Sequence, residues 1–224
     1  ITTYLKTSNI KLENINQNMR MEHRTIESMF SNLFQRQIKQ SPNFKYHISP
    51  VSIFNGDILL SAIGPTGNMY IAIGDATGHG LPAAVGAIPI YATFKTMAEK
   101  GLGVGVIAAE MNNALYQILP DHMMLAATIV EIDLPASRLL VWSGGMPDMI
   151  ISDGHGRIKE FITSQHAPLS ALNNEKFSQN IELMPISFND RIYLYTDGVE
   201  ESKNSKNEFF WSKFPHPMPY LHNY

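Results

Sequence analysis

Cysteine is missing from all 224 residues. Without thiols the chain forms neither disulfides nor thiolate metal sites, and a reducing cytoplasm is the simplest compartment for it. Long apolar runs are missing too. No stretch approaches the ~18 apolar residues that a membrane span requires, and nothing reads as a signal peptide, so no membrane partner is expected. An excess of positive charge is also lacking. Seventeen Lys and Arg stand against twenty Asp and Glu, for a formal net charge of −3. That excludes the basic footprint of a nucleic-acid-binding surface. What is present is a chain 44% hydrophobic, long enough for one sizeable core and an appendage. It begins at Ile1, which leads us to expect a piece of a longer protein with a domain upstream.

Residues 1–40 contain no glycine and no proline. Apolar residues recur there at Leu12, Ile15, Met19, Ile26, Met29 and Leu33, alternating steps of three and four and broken only at Glu22. This heptad-like seam predicts a linker helix. Two readings stand side by side: an amphipathic helix packed on its own domain, or a signalling helix that pairs with a second copy. Phe30 and Phe34 widen the apolar face, so the helix is expected to dock through its C-terminal part. Residues 41–224 form the second expected unit.

From about residue 51 the pattern changes. "VSIFNGDILLSAIG" and "MYIAIGD" flank the turn "PTGN" (Pro65 to Asn68) and read as a hairpin. Leu81 to Lys100 is alanine-rich and helix-forming, with Pro82 near its start and Pro89 inside it, where a kink is expected. A second helix is expected over about 106–119. Then come "MMLAATIVEID" and "RLLVWSGG", "DMIIS" and "RIKEF", and last "DRIYLYTDG", read as a strand ending in Thr196-Asp197-Gly198. Short loops between neighbouring strands favour antiparallel pairing. The order is therefore α+β and not an alternating βαβ one.

Three carboxylates share a setting. Asp57 in "NGD", Asp75 in "GDATGHG" and Asp197 in "TDG" each sit beside glycine at a strand end. Buried, unpaired carboxylates cost several kcal/mol each unless protons or cations intervene. Oxygen ligands without thiols suit a hard divalent cation such as Mg²⁺ or Mn²⁺. Taken singly, each Asp can equally be a turn residue or a helix cap. "DGHG" at 153–156 looks similar, but Asp-Gly between two strands is a hairpin signal, and Asp153 is read as an exposed turn residue. His79 has two readings: it bonds a phosphate or a metal-held water, or it braces the turn. His23 reads as surface.

"NGD", "GDATGHGLPAA", "WSGGMPDM" and "LYTDGVEES" together resemble the successive motifs of bacterial SpoIIE/RsbU-type serine phosphatases. These are a branch of the PPM (PP2C-like) metal-dependent protein phosphatases. The likeness covers about residues 45–205 and is nearest to the subgroup in which a receiver domain precedes the phosphatase. It implies an αββα sandwich of two antiparallel sheets flanked by helices. It implies hydrolysis of phosphoserine or phosphothreonine by a metal-activated water. In this branch the usual substrate is a phosphorylated anti-sigma-factor antagonist, a STAS-domain protein, in a partner-switching pathway. It further implies that Asp75 bridges two Mn²⁺ or Mg²⁺ ions, that Asp57 and Asp197 each add a carboxylate, and that the carbonyl of Ala76 is a further ligand. Gly78, His79 and Gly80 would face the substrate.

Two departures from the family pattern matter. A further metal-binding Asp is expected near the C-terminus, but "WSKFPHPMPYLHNY" contains no acidic residue. Either the sequence stops short of it or this protein has diverged, with Asp190, Glu200 and Glu201 as substitutes to consider. Ala76 stands where relatives have Val or Gly, which matters little if only its backbone binds. Three functions follow. The first is a metal-dependent phosphatase under an upstream receiver, dimeric through residues 1–40. The second is a catalytically weak or inactive PP2C-like binding module. The third, a nucleotide loop at "DATGHG", is disfavoured because the spacing is Asp-x-x-Gly-x-Gly and no Asn-rich helix precedes it.

Overall fold

The computed structural model describes residues 9–22, 25, 43–48, 56–78, 81–203 and 206–209. Residues 9–22 form a helix, α1, exposed along its whole length. Its seam residues Leu12, Ile15 and Met19 all face solvent. The rest of the seam and Phe30 and Phe34 lie outside the described residues, as does the expected docking of the helix.

Among the described residues eight strands follow, in two antiparallel sheets. β1 (Asp57–Ile63), β2 (Met69–Ala76), β3 (Leu125–Asp133), β4 (Arg138–Gly144) and β7 (Glu182–Pro185) make the first, in the order β1-β2-β3-β4-β7. β5 (Met149–Ser152), β6 (Ile158–Ile162) and β8 (Arg191–Tyr193) make the second, in the order β6-β5-β8. The helices α2 (Leu81–Glu99) and α3 (Val104–Tyr116) connect β2 to β3 and pack on the first sheet. This is the α+β order read from the sequence, arranged as the two-sheet sandwich with outer helices that the family resemblance implies.

Two apolar layers hold it together. Between helices and first sheet lie Leu60, Tyr70, Ile90, Phe94, Ile107, Met111 and Trp142. Between the sheets lie Ile71, Val130, Leu139, Val141, Met149, Ile151 and Ile162. β3 is the middle strand of the first sheet and is covered on both faces, so it is buried almost throughout and loses the period-two alternation of a half-exposed strand. α2 runs on through Pro89. Proline there removes the donor for the carbonyl of Val85, a residue on the helix's exposed side.

Three details differ from the sequence reading. "DRIYLYTDG" is a strand only over Arg191–Tyr193, and Asp197 is the first residue of a five-residue helix, α4 (Asp197–Glu201). β7 was not foreseen. The second helix begins at Val104, two residues early, because Gly103 in extended conformation is its N-cap. The "DGHG" turn is as expected. Asp153 accepts bonds from the backbone N–H of His155 and of Arg157, both at 2.9 Å, and from Arg157 Nε at 2.8 Å. Those donors, Arg157 first, hold its carboxyl down at about 2. Gly156 takes the positive φ, +82°, that closes the turn. Among the described residues no helix is long and apolar enough to cross a membrane.

Candidate metal centre

β1 and β2 pair so that Asp57 stands opposite Asp75. Directly opposed residues of an antiparallel pair share a face with Cβ atoms about 5 Å apart, and like charges there repel. The hairpin therefore closes on two carboxylates where its hydrophobic register would accept apolar side chains. Asp197, entering from α4, is near enough to act on both by charge.

The consequences fall mainly on Asp75. Burial pushes its carboxyl up to about 6, helped by the charges of Asp57 and Asp197. Burial also raises Asp57; a hydrogen bond with Thr196 opposes this and the charge of Asp197 adds to it. Thr196 is the N-cap of α4, a position where a hydroxyl ordinarily accepts from the first turn. It makes no such cap bond; its side chain instead bonds Asp57. Sequence reading missed this residue. Thr immediately before Asp-Gly was the available signal, but the hydroxyl's partner lies 139 positions upstream, and no local pattern reveals it.

Gly56 shows how tightly oxygen atoms gather here. A Cβ placed on it would lie 2.6 Å from the Ala76 carbonyl oxygen and 2.6 Å from Asp75 Oδ1. Its own carbonyl accepts from Ala76 N at 3.1 Å, which ties the start of β1 to the end of β2. The Gly56→Ala variant is expected to push these two oxygens apart, costing about 1–3 kcal/mol as an overpacked site does, and to weaken Mn²⁺ binding at least tenfold by calorimetric titration. The glycine is needed for space and not for a left-handed backbone. Beyond Ala76, Thr77 N donates to the Met124 carbonyl at 2.8 Å and Met124 N donates to Thr77 Oγ1 at 2.8 Å. This double tie fixes the exit from β2. Gly78 follows at φ +87°. His79 and Gly80, the other two expected substrate residues, lie outside the described residues.

Of the substitutes considered for a further ligand, Asp190 is engaged elsewhere. It accepts from Lys159 Nζ at 2.6 Å and from Ser187 N at 2.8 Å. Glu201 is exposed. Glu200 belongs to the acidic neighbourhood: burial raises its carboxyl, and the charges of Asp148 and then Asp197 add to this. Asp148, in the β4–β5 connection, is a carboxylate that sequence reading did not single out.

An all-oxygen donor set, crowded carboxylates with raised proton affinity, and the Ala76 carbonyl and Asp75 Oδ1 both crowding Gly56 fit a hard divalent cation in chemical kind. The arrangement stops short of a finished cage. Among the described residues no group of three or more His, Asp or Glu side chains is placed to hold a metal ion.

Comparison with known proteins places the chain in a family. The family model described as stage II sporulation protein E (SpoIIE) matches residues 65–213. No curated protein matches the sequence. Among solved structures, the chain is similar to the SiaA-PP2C domain of Pseudomonas aeruginosa, with TM-score 0.63 and 16% identity over 91% of this chain and 79% of that one. It is similar to the RsbU and RsbW domains of a Mycobacterium tuberculosis protein, with TM-score 0.59 and 16% identity over 69% of this chain and 43% of that one. It is also similar to the PP2C phosphatase domain and regulatory fragment of SpoIIE from Bacillus subtilis, with TM-score 0.52 and 17% identity over 65% of this chain and 41% of that one. At these identities the structures speak for the fold, and the family model supplies the membership: the chain belongs to the SpoIIE family of PP2C-like bacterial serine phosphatase domains.

Proposed function

We propose that this chain is a PP2C-like module that recognises a phosphorylated protein and, with an incomplete metal centre, turns it over slowly or not at all. One observation carries this. The family's fold is present, but among the described residues no three His, Asp or Glu side chains are placed to hold a metal ion. The partner that fits is a protein carrying phosphoserine or phosphothreonine, with a STAS-domain anti-sigma-factor antagonist as the candidate that the family resemblance suggests. Residues 1–40 would be the link to an upstream receiver domain and a route to a homodimer.

A competent enzyme is the second reading, and the raised carboxyl of Asp75 favours it. Asp57, Asp75 and Asp197, with the carbonyl of Ala76, are the residues that would hold one or two Mn²⁺ or Mg²⁺ ions. A divalent cation there would supply Lewis acidity, making water more acidic and offsetting charge on the phosphate. The protein's own part is to hold the donors in place: Thr196 orients Asp57, Gly56 leaves room for the oxygens, and the Thr77–Met124 tie fixes the strand exit. Gly78, His79 and Gly80 would contact the phosphate from the following turn.

Hydrolysis of an aryl phosphate by this chain, in Mn²⁺ and in EDTA, separates the two. The module reading expects turnover in Mn²⁺ within tenfold of the EDTA rate. Manganese-dependent turnover a hundredfold or more above EDTA, lost in Asp75→Asn, would overturn it in favour of the enzyme.

A further inference from the structure

A cavity lined by described residues lies at the opposite end of the first sheet from Asp57. β1 alone separates the two ends by about 20 Å at ~3.3 Å per residue. The cavity is about 620 Å³ in volume, bounded by the β1–β2 turn, the end of α2 and the β3–β4 turn. Asn68, Tyr70, Lys100, Glu131, Asp133 and Arg138 line it with the adjoining turn residues.

Glu131 is the unusual member. It sits on β3 opposite Tyr70 of β2 and is only 7% exposed. Its partners are neutral. Asn68 Nδ2 donates to Oε1 at 2.7 Å, and the Tyr70 hydroxyl bonds the same carboxylate. Burial, with Glu131 beside it, raises the Tyr70 hydroxyl further and keeps it a donor. Asp133, next along, is different. It accepts from Arg138 Nε at 2.8 Å and from Ala136 N at 3.1 Å, so its charge is met within the β3–β4 turn. The described ion pairs join Arg138 to Asp133, Arg157 to Asp153 and Lys159 to Asp190; none reaches Glu131. Lys100 is exposed and stands at the rim. A buried carboxylate with neutral partners alone is costly unless a positive charge arrives. Here the charge can come from outside, because the carboxylate lines an open cavity of ligand size.

We propose that this cavity is a second binding site, for a small organic cation whose ammonium or guanidinium group is seated against Glu131. Asn68 and Tyr70 orient the carboxylate, and Asp133, already matched by Arg138, sets the polar wall beside it. Lys100 at the rim disfavours ligands with a second positive charge toward the mouth. The site requires nothing of the carboxylates at the far end of the sheet.

Methylguanidinium, a single positive charge, is the probe, with acetate as the anionic control, titrated calorimetrically into the whole chain in EDTA. Saturable binding at millimolar concentration or tighter is expected for methylguanidinium and none for acetate. Glu131→Gln keeps the shape and the bonding to Asn68 and is expected to weaken methylguanidinium at least tenfold, whereas Asp75→Asn leaves it unchanged. Lys100→Glu, an exposed change that does not disturb the core, is expected to tighten it severalfold and carries the test if Glu131→Gln does not fold. Four results overturn the proposal. They are no binding to the wild type, equal binding to Glu131→Gln, loss in Asp75→Asn instead, or no tightening in Lys100→Glu.

Discussion

Asp75→Asn is expected to make the metal-free chain more stable at pH 8, and to abolish its stabilisation by Mn²⁺. The sign follows from linkage. The folded-state carboxyl titrates at about 6, against 3.8 for the ordinary group. Between those values the folded form holds the proton more tightly than the unfolded one. Stability of the metal-free chain therefore falls as the pH rises from about 4 through 6, and the full penalty is present at pH 8. Two pKa units correspond to about 3 kcal/mol at face value. Asp75 is only half-buried, so solvent screening reduces this to about 1 kcal/mol. Asparagine cannot ionise and escapes the penalty. At about pH 3 or below, where Asp75 is largely protonated in both forms, the two chains should melt together. Added Mn²⁺ reverses the order, since a ligand present at a hundred times its dissociation constant stabilises by about 2.7 kcal/mol, and the variant has lost its central donor. Melting curves at about pH 3 and at pH 8, with and without Mn²⁺, read all four corners. A variant less stable than wild type at pH 8 in EDTA would show that Asp75 serves packing and not a charge.

The carboxylates were legible because their signal is local: Asp beside Gly at the end of an apolar run, repeated three times. Their mutual placement was not. The opposition of Asp57 and Asp75 follows from the hairpin register, which "PTGN" fixes. The approach of Asp197 depends on a helix start that reads in sequence as the end of a strand. "LYTDGVEE" carries alternating apolar residues, and nothing within it says that pairing stops at Tyr193. β7 was invisible for the related reason that "ELMP" ends in proline and has one buried side chain, Met184; an edge strand needs little more. Thr196 and Glu131 act through partners more than 60 positions away, or at a cavity formed by three turns. Such sites are properties of the assembled sheet. "DGHG" was legible in full because its hydrogen bonds run among residues 153–157.

Trp142→Ala is expected to be the most damaging single change in the sandwich, costing about 4–5 kcal/mol in urea unfolding. Truncating a buried tryptophan costs roughly 3–5 kcal/mol through lost transfer energy and the cavity left behind. Trp142 belongs at the upper end for three reasons. It is fully buried on β4. Its ring is stacked between Phe177 at 5.4 Å and His166 at 5.3 Å, so it anchors the long connection from β6 to β7 as well as the core. Its Nε1 donates to the Ser178 carbonyl at 3.0 Å, a bond that alanine leaves unmade. Domains of this kind have only about 5–15 kcal/mol in total, so the alanine variant stands near the edge of folding. Trp142→Phe tests the same reasoning with less damage. It keeps an aromatic face between Phe177 and His166 but removes the N–H donor, and should cost about 1–2 kcal/mol, the worth of one buried hydrogen bond and a small void. If the two variants cost the same, the indole N–H and not the ring is what holds residues 163–181 against the sheet. That segment also carries Leu169, whose backbone pairs with Leu125, at the end of β3 that lies against Ala76. Loosening Trp142 is therefore expected to reach the candidate metal centre, and the phenylalanine variant should bind Mn²⁺ about as tightly as wild type while the alanine variant binds it more weakly.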